Sequence, residues 1–176
     1  MALHRQTISV EQFDAFLARQ ENADLKIEYI AGEMVDVPSN TRSSEIAQKV
    51  SFYLQLYLHQ NQVAGHITGE AGLYQIGDER YAPDVAFKHA ATTTDFVDPN
   101  PPELAVEVVS PSDNLRLLSV KISNYVAAGT TVWVIYPEDK QVVTHIPQRG
   151  AQILTANDHL TFDGLPGFKL RVGDIF

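Results

Sequence analysis

The strongest restriction on the fold of this chain is an apolar run that carries one carboxylate at its centre. Residues 105–109 read AVEVV, a pattern typical of a strand buried on both faces, and Glu107 is the only ionisable side chain in it. An unpaired carboxylate is costly to remove from water. Glu107 therefore needs a cationic side chain, a proton or a bound cation as its partner.

The segments after this run predict a helix and two further strands. Residues 110–114, SPSDN, are a typical helix entrance, and the helix predicted over residues 115–128 ends before Gly129. Residues 131–136, TVWVIY, read as a buried strand, and QVVTHI at residues 141–146 is its predicted hairpin partner. The strand of Glu107 is thus expected to lead directly into a helix that returns to the sheet.

The N-terminal part of the chain predicts two more helices and a hairpin. A capping-box pattern begins at Ser9 and precedes a short helix, and residues 25–37 predict two strands that turn at Ala31 and Gly32. Residues 38–60 combine a start signal with a one-sided apolar stripe, which predicts the longest amphipathic helix.

The middle and the tail of the chain are read as strands and a connector. Residues 65–76 predict either a strand pair or one strand with an irregular lead-in, and residues 81–87 predict one strand entered through Pro83. Residues 91–102 form a polar, proline-rich connector, and the tail adds one or two short strands. This order of elements predicts an α/β sandwich around a mixed sheet.

Length and composition limit the possible classes of protein. The 176 residues are expected to form a single domain over residues 1–176, because this length suffices for one continuous core. Without a long apolar stretch or a cysteine, we expect no membrane partner and no disulfide, and a cytoplasmic location is the simplest interpretation. The net charge of −9 argues against broad binding to polyanions, although it does not exclude a local basic groove.

A second carboxylate is predicted to lie near Glu107. Along the strand that contains Asp84, the side chains of Asp84 and Ala86 point to one face, as Ala105 and Glu107 do on theirs. If the two strands pair, small alanines flank two carboxylates, which would repel each other unless a proton or a cation lies between them. The alternative is that Asp84 caps a turn and that Glu107 lies on an exposed sheet edge.

Lys121 is the candidate cationic side chain for this pair. On the predicted helix it lies about 60° from the centre of the apolar stripe formed by Leu118, Ile122 and Tyr125. Such a lysine can lay its stem along the sheet and direct its ammonium toward the carboxylates. The alternative is an ordinary surface lysine.

These residues resemble a known group of proteins. Pro83 and Asp84, followed by Glu107 on the next predicted strand, resemble the PD-(D/E)XK nuclease superfamily, with its restriction-endonuclease-like fold. The lysine usually found two residues after the acid is absent, since Val109 occupies that position. The longer series IEYIAGE, APDVAF, ELAVEVVSPSD, Lys121, AAGTTVWVIYP and LPGF is similar to a bacterial family of restriction-endonuclease-like proteins in which the lysine has moved to the following helix.

The resemblance implies a fold, a cofactor and a set of site residues. The fold would be a mixed sheet flanked by helices, with an N-terminal helix and hairpin and extra C-terminal strands. Asp84 and Glu107 would bind Mg²⁺ or Mn²⁺ together with the backbone carbonyl of Val108. Lys121 would position or activate the attacking water, and Glu28 would complete the metal site or support it from outside, unless its role is structural.

Three further positions each have two possible roles. Tyr125 matches the resemblance, but a tyrosine on an apolar stripe also serves for packing. Ser43 or Ser44 stands near the position at which many relatives have a histidine, so a general base is in doubt there. Glu45 could act instead, or could stabilise the N-terminus of its helix.

Three functions are compatible with this pattern. The first is a metal-dependent endonuclease that hydrolyses phosphodiester bonds in DNA, with a homodimer expected from the resemblance. The second is a catalytically silent nuclease-like domain that binds a protein or nucleic acid, which the acidic net charge and the missing adjacent lysine favour. The third is an acid–base enzyme for a small molecule. The combination of Asp84, Glu107 and Lys121 favours the first, because a purely structural core does not need such a triad.

Overall fold

The computed structural model of the protein describes residues 7–22, 24–37 and 40–176. The α-helices in these ranges are α1 (Val10–Leu17), α2 (Thr41–Asn61) and α3 (Leu115–Ala127). Short 3₁₀ helices span Gln20–Asn22 and Val172–Ile175. Its strands are β1 (Ile27–Ile30), β2 (Glu33–Asp36), β3 (His66–Gly69), β4 (Leu73–Ile76), β5 (Glu79–Tyr81), β6 (Val85–Lys88), β7 (Val97–Asp98), β8 (Leu104–Val108), β9 (Thr131–Tyr136), β10 (Gln141–Ile146), β11 (Gly150–Leu154), β12 (His159–Leu160) and β13 (Leu170–Arg171).

The strands form two large sheets and one small one. The five-stranded sheet has the order β2-β1-β5-β4-β7, and the six-stranded sheet has the order β11-β10-β9-β8-β6-β3, while β12 pairs with β13. Strands β8 and β9 are parallel and are connected through α3, whereas β6 and β8 are antiparallel. The sheets are therefore mixed and flanked by helices, as the sequence predicted.

The six-stranded sheet is covered on both faces, which explains the continuous apolar run in β8. Leu104 and Val106 pack into the core cluster that contains the buried side chains of α2, while Ala105 packs into the cluster that contains those of α3. All three are fully buried. Burial of one large aliphatic side chain contributes about 1.5–3 kcal/mol, so this two-sided packing holds β8 firmly between its neighbours.

The N-terminal signals produce the predicted local structures. Ser9 and Gln12 form the complete capping box at the start of α1, with each side chain bonded to the other residue's backbone N–H. Ala31 and Gly32 both adopt positive φ angles, 52° and 82°, in the tight turn between β1 and β2. The start signal predicted for α2 also included Pro38 and Ser39, which lie outside the described residues.

Three strand predictions were wrong in detail. Residues 81–87 are split between β5 and β6, which belong to different sheets, because Pro83 lacks an N–H and the chain leaves one sheet there. Strands β3 and β4 likewise belong to different sheets and do not form a pair. The tail forms three strands instead of one or two. Within the described ranges, no helix is long and apolar enough to cross a membrane.

Candidate active site

Asp84 and Glu107 are neighbours on one face of the six-stranded sheet. The register of β6 and β8 pairs Val85 with Val106, which puts Asp84, the residue before β6, beside Glu107. Asp84 Oδ2 accepts a hydrogen bond of 2.6 Å from the backbone N–H of Val108. The exposed-edge alternative for Glu107 is wrong, because β8 lies between β6 and β9 and the side chain is buried.

Lys121 approaches these strands from α3. The helix begins where Asp113 accepts hydrogen bonds from the N–H and the hydroxyl of Ser110, and Asn114 caps its first turn. The Lys121 ammonium is 2.9 Å from Oε2 and 2.9 Å from Oε1 of Glu107. Lys121 is only 6% exposed, so it is not an ordinary surface lysine.

Glu28 reaches the same lysine from the other large sheet. It lies in β1, is buried, and accepts through Oε1 a hydrogen bond of 2.8 Å from Lys121 Nζ. The same oxygen accepts a 2.6 Å hydrogen bond from the backbone N–H of Ala82. Lys121 therefore connects a carboxylate of the five-stranded sheet with Glu107 of the six-stranded sheet.

The charges of this cluster do not balance without a further cation or protons. Three carboxylates, those of Glu28, Asp84 and Glu107, face the single ammonium of Lys121. Burial raises the pKa of Asp84 to about 6 and, with nearby Glu28 and Asp84 also disfavouring its charge, raises the pKa of Glu107 to about 8. Burial lowers the pKa of Lys121, but the two glutamates outweigh burial and raise its pKa above the usual value.

Two tyrosines, whose rings contact each other, lie beside the cluster. The Lys121 Nζ lies 5.7 Å from the ring centroid of Tyr81, within the range of a cation–π interaction. Tyr125 is fully buried, and burial followed by the charges of Glu107 and Glu28 raises its pKa well above the ordinary value. Sequence reasoning did not single out Tyr81, whose one signal is its place three residues before Asp84.

A cavity of about 550 Å³ gives access to the cluster, because Glu28, Asp84, Glu107, Val108 and Lys121 all line it. The structure thus brings the sequence-predicted site residues into one cavity. Their chemical roles stay predictions.

Other candidates from the sequence take different positions around this cavity. Ser43 and Ser44, in the first turn of α2, line it, and so does Glu70, whose carboxylate forms an ion pair with Lys26. Glu45 is directed elsewhere and forms a 2.9 Å ion pair with Lys49 one helical turn later in α2. Glu45 therefore fits the helix-stabilising alternative better than a role as general base.

The residues present fit a divalent cation with oxygen ligands. Oε1 of Glu107 is buried and makes no hydrogen bond of normal geometry with the described part of the chain. The described residues contain no group of three His, Cys, Asp or Glu side chains in a metal-binding arrangement. The neighbouring carboxylates of Asp84 and Glu107 are oxygen donors of the kind that Mg²⁺ accepts, since this ion keeps several waters beside one or two carboxylates.

The mixed α/β fold and the acidic cavity at β6 and β8 define a restriction-endonuclease-like protein. Residues 10–173 match the model of the Uma2 family, which is described as putative restriction endonuclease, and this match shows that the chain belongs to that family. No curated protein matches the sequence significantly.

A solved structure is similar over nearly the whole chain. It is the crystal structure of a putative nuclease belonging to DUF820 from Anabaena variabilis, with a TM-score of 0.82. The sequence identity is 18%, and the similarity covers 96% of this chain and 97% of that chain. At this identity the similarity establishes the fold and leaves the activity to chemical arguments.

Proposed function

We propose that this protein is a metal-dependent endonuclease that hydrolyses phosphodiester bonds in DNA. The observation that carries the proposal is the convergence of Asp84, Glu107 and Lys121 from three elements at one cavity. A buried ionic cluster is a weak source of stability, since well-packed apolar side chains of similar volume do equally well. Membership in the restriction endonuclease family supports a nuclease over other metal-dependent hydrolases.

Asp84 and Glu107 would hold Mg²⁺ or Mn²⁺, with the Val108 carbonyl as a further oxygen ligand. The bound ion would lower the pKa of a water molecule and stabilise the charge that develops on the phosphate. The carboxylates alone would repel a phosphodiester, so the excess of three carboxylates over one ammonium in the cluster supports the requirement for a dication.

Lys121 would supply the remaining positive charge at the reacting phosphate. Its raised pKa keeps the ammonium protonated at neutral pH, so it acts as a hydrogen-bond donor and a fixed charge and not as a base. It would orient the attacking water through this ammonium. Glu28, on the far side of the ammonium, would keep Lys121 in position.

A second candidate function is a silent nuclease-like domain, and the charge of the cavity favours it. Lys26 and Lys121 are the lysines that line the cavity, and no arginine lines it among the described residues. The acidic lining residues outnumber these lysines: they are Glu28, Asp36, Glu70, Asp84, Glu107 and Asp113. Without a bound dication such a cavity repels a polyanion.

Two variants separate these functions. Mn²⁺ or Mg²⁺ should raise the melting temperature of the wild type and should not raise that of Glu107→Gln, because the variant loses one ligand charge. Lys121→Met should retain the metal-dependent shift and lose at least about a hundredfold in DNA cleavage, the range for loss of one charge-stabilising group.

Lys88→Met is the matched control. Lys88 forms a buried 2.9 Å ion pair with Asp98 and does not line the cavity. This variant should lose stability and keep both the metal response and cleavage. If metal shifts neither the wild type nor Glu107→Gln, the silent domain is the better description.

A further inference from the structure

The Lys121 ammonium lies against Glu107, the carboxylate that a bound cation would share with Asp84. Its Nζ is equally close to both oxygens of that carboxylate, at 2.9 Å from each. Within the described part of the chain, Lys121 is the cationic side chain that forms an ion pair with Glu107. A metal ion that uses Glu107 must therefore share this carboxylate with the ammonium or replace it.

Glu28 can hold the Lys121 ammonium when a metal ion replaces it at Glu107. Its Oε1 accepts hydrogen bonds from both Lys121 Nζ and the backbone N–H of Ala82, at 2.8 and 2.6 Å. The backbone contact ties Glu28 to the start of the loop that carries Asp84, whether or not Lys121 is present. Because Oε1 already has two donors, this oxygen of Glu28 holds the lysine and is not free to bind a metal ion.

We propose that Lys121 occupies the cation position of the metal-free protein, and that Glu28 is a positioning residue that retains the lysine when a metal ion takes Glu107. This inference rests on the proposed metal site. In this arrangement the ammonium is a counter-ion for two buried glutamates in the free protein. It becomes a counter-ion for Glu28 alone in the metal-bound protein, where it remains beside the cavity.

The test measures Mn²⁺ affinity by calorimetry at pH 8 in four proteins: wild type, Glu28→Gln, Lys121→Met and the double variant. The amide introduced by Glu28→Gln can still accept the hydrogen bond from Ala82 but has no charge to hold the lysine. The ammonium should then stay on Glu107, and Glu28→Gln should bind Mn²⁺ about tenfold more weakly, the lower end of the range for loss of a supporting residue.

Removal of the lysine should reverse this loss. The double variant should bind Mn²⁺ at least as tightly as the wild type, because the competing ammonium is gone. A double variant as weak as Glu28→Gln would show that Glu28 is a direct ligand, and an unchanged affinity of Glu28→Gln would show a purely structural role. Either result would overturn the inference.

Two measurements keep the test independent of folding and of the proposed function. Lys121→Met alone should bind Mn²⁺ at least as tightly as the wild type, and a loss greater than about tenfold would also overturn the inference. Absence of Mn²⁺ binding by the wild type would instead contradict the metal site itself. Lys88→Met, which removes a buried lysine outside the cavity, should leave the Mn²⁺ affinity unchanged.

Discussion

At the scale of single residues, the burial of Asp84 and Glu107 disfavours their charged forms, and a bound cation would offset this cost. Glu107 is buried and Asp84 is half-buried, each beside another acid, so the charged form of each is disfavoured and its pKa rises. In the metal-free protein burial therefore favours the protonated form of Glu107, although Lys121 partly compensates the charge of the ionised form. Binding of a dication would release such protons, which couples metal affinity to pH.

The raised pKa values predict an unusual dependence of stability on pH. The folded protein binds more protons at Asp84 and Glu107 than the unfolded chain does, so these groups stabilise it fully below about pH 4. Their contribution is lost as pH rises through about 6 for Asp84 and about 8 for Glu107. In EDTA, the free energy of unfolding should show a loss of about 3 kcal/mol from Glu107 between pH 5.5 and pH 8.5.

Glu107→Gln is the matched variant for this measurement, because its amide does not titrate. Urea unfolding at the two pH values should give a smaller loss for the variant than for the wild type. Equal losses in the two proteins would mean that Glu107 is already ionised in the folded state.

At the scale of elements, α3 is the part of the fold that joins the cluster. It starts at the Asn114 cap directly after β8, packs through Leu117, Leu118 and Tyr125, and brings Lys121 back over the strand that carries Glu107. A displaced lysine can serve the site because a helix after the strand returns across the same face of the sheet.

The caps of α1 and α3 offer a test of this role. Asn114 accepts hydrogen bonds of 3.0 and 3.4 Å from the N–H groups of Arg116 and Leu117, so Asn114→Ala should cost about 1 kcal/mol of stability. It should also lower DNA cleavage, since α3 carries Lys121. Ser9→Ala removes the cap of α1, which carries none of the site residues, and should lower stability alone. Equal cleavage by the two variants would argue against this role of α3.

At the scale of the whole molecule, the negative net charge disfavours a general electrostatic attraction to DNA. The net charge is −9, and acids dominate the lining of the cavity. Proteins that bind nucleic acids through general attraction use many lysines and arginines against phosphates. In the proposed endonuclease, a bound cation would therefore be part of the surface that contacts DNA.

This inference predicts that DNA binding needs the metal. Lys121→Met, which should cleave DNA poorly, should bind a fluorescent duplex in Mg²⁺ and should not bind it in EDTA, as measured by fluorescence anisotropy. The Glu107→Gln variant should fail to bind under both conditions. Tight binding in EDTA would point to a basic surface elsewhere, and the homodimer expected from the resemblance would be the first place to look for it.

Local signals in the sequence predicted the elements that depend only on neighbouring residues. The capping box at Ser9, the turn at Ala31 and Gly32 and the stop at Gly129 all act over a few residues, and the structure contains each of them. The same kind of signal could not assign strands to sheets. Alternation along a strand shows which side chains share a face, but not which sheet the strand joins, and the split at Pro83 was therefore missed.

The sequence by itself determined that Glu107, if buried in its apolar run, needs a partner, because a charge without a partner is costly to remove from water. The structure then excluded the exposed sheet edge that the sequence had left open. The sequence also identified Asp84, Lys121 and Glu28 as candidates through the family resemblance. Only the tertiary structure decided that one ammonium bonds Glu28 and Glu107 from two different sheets. Residues so far apart in the chain meet through the packing of whole helices and sheets. A local sequence pattern therefore does not predict which of them come into contact.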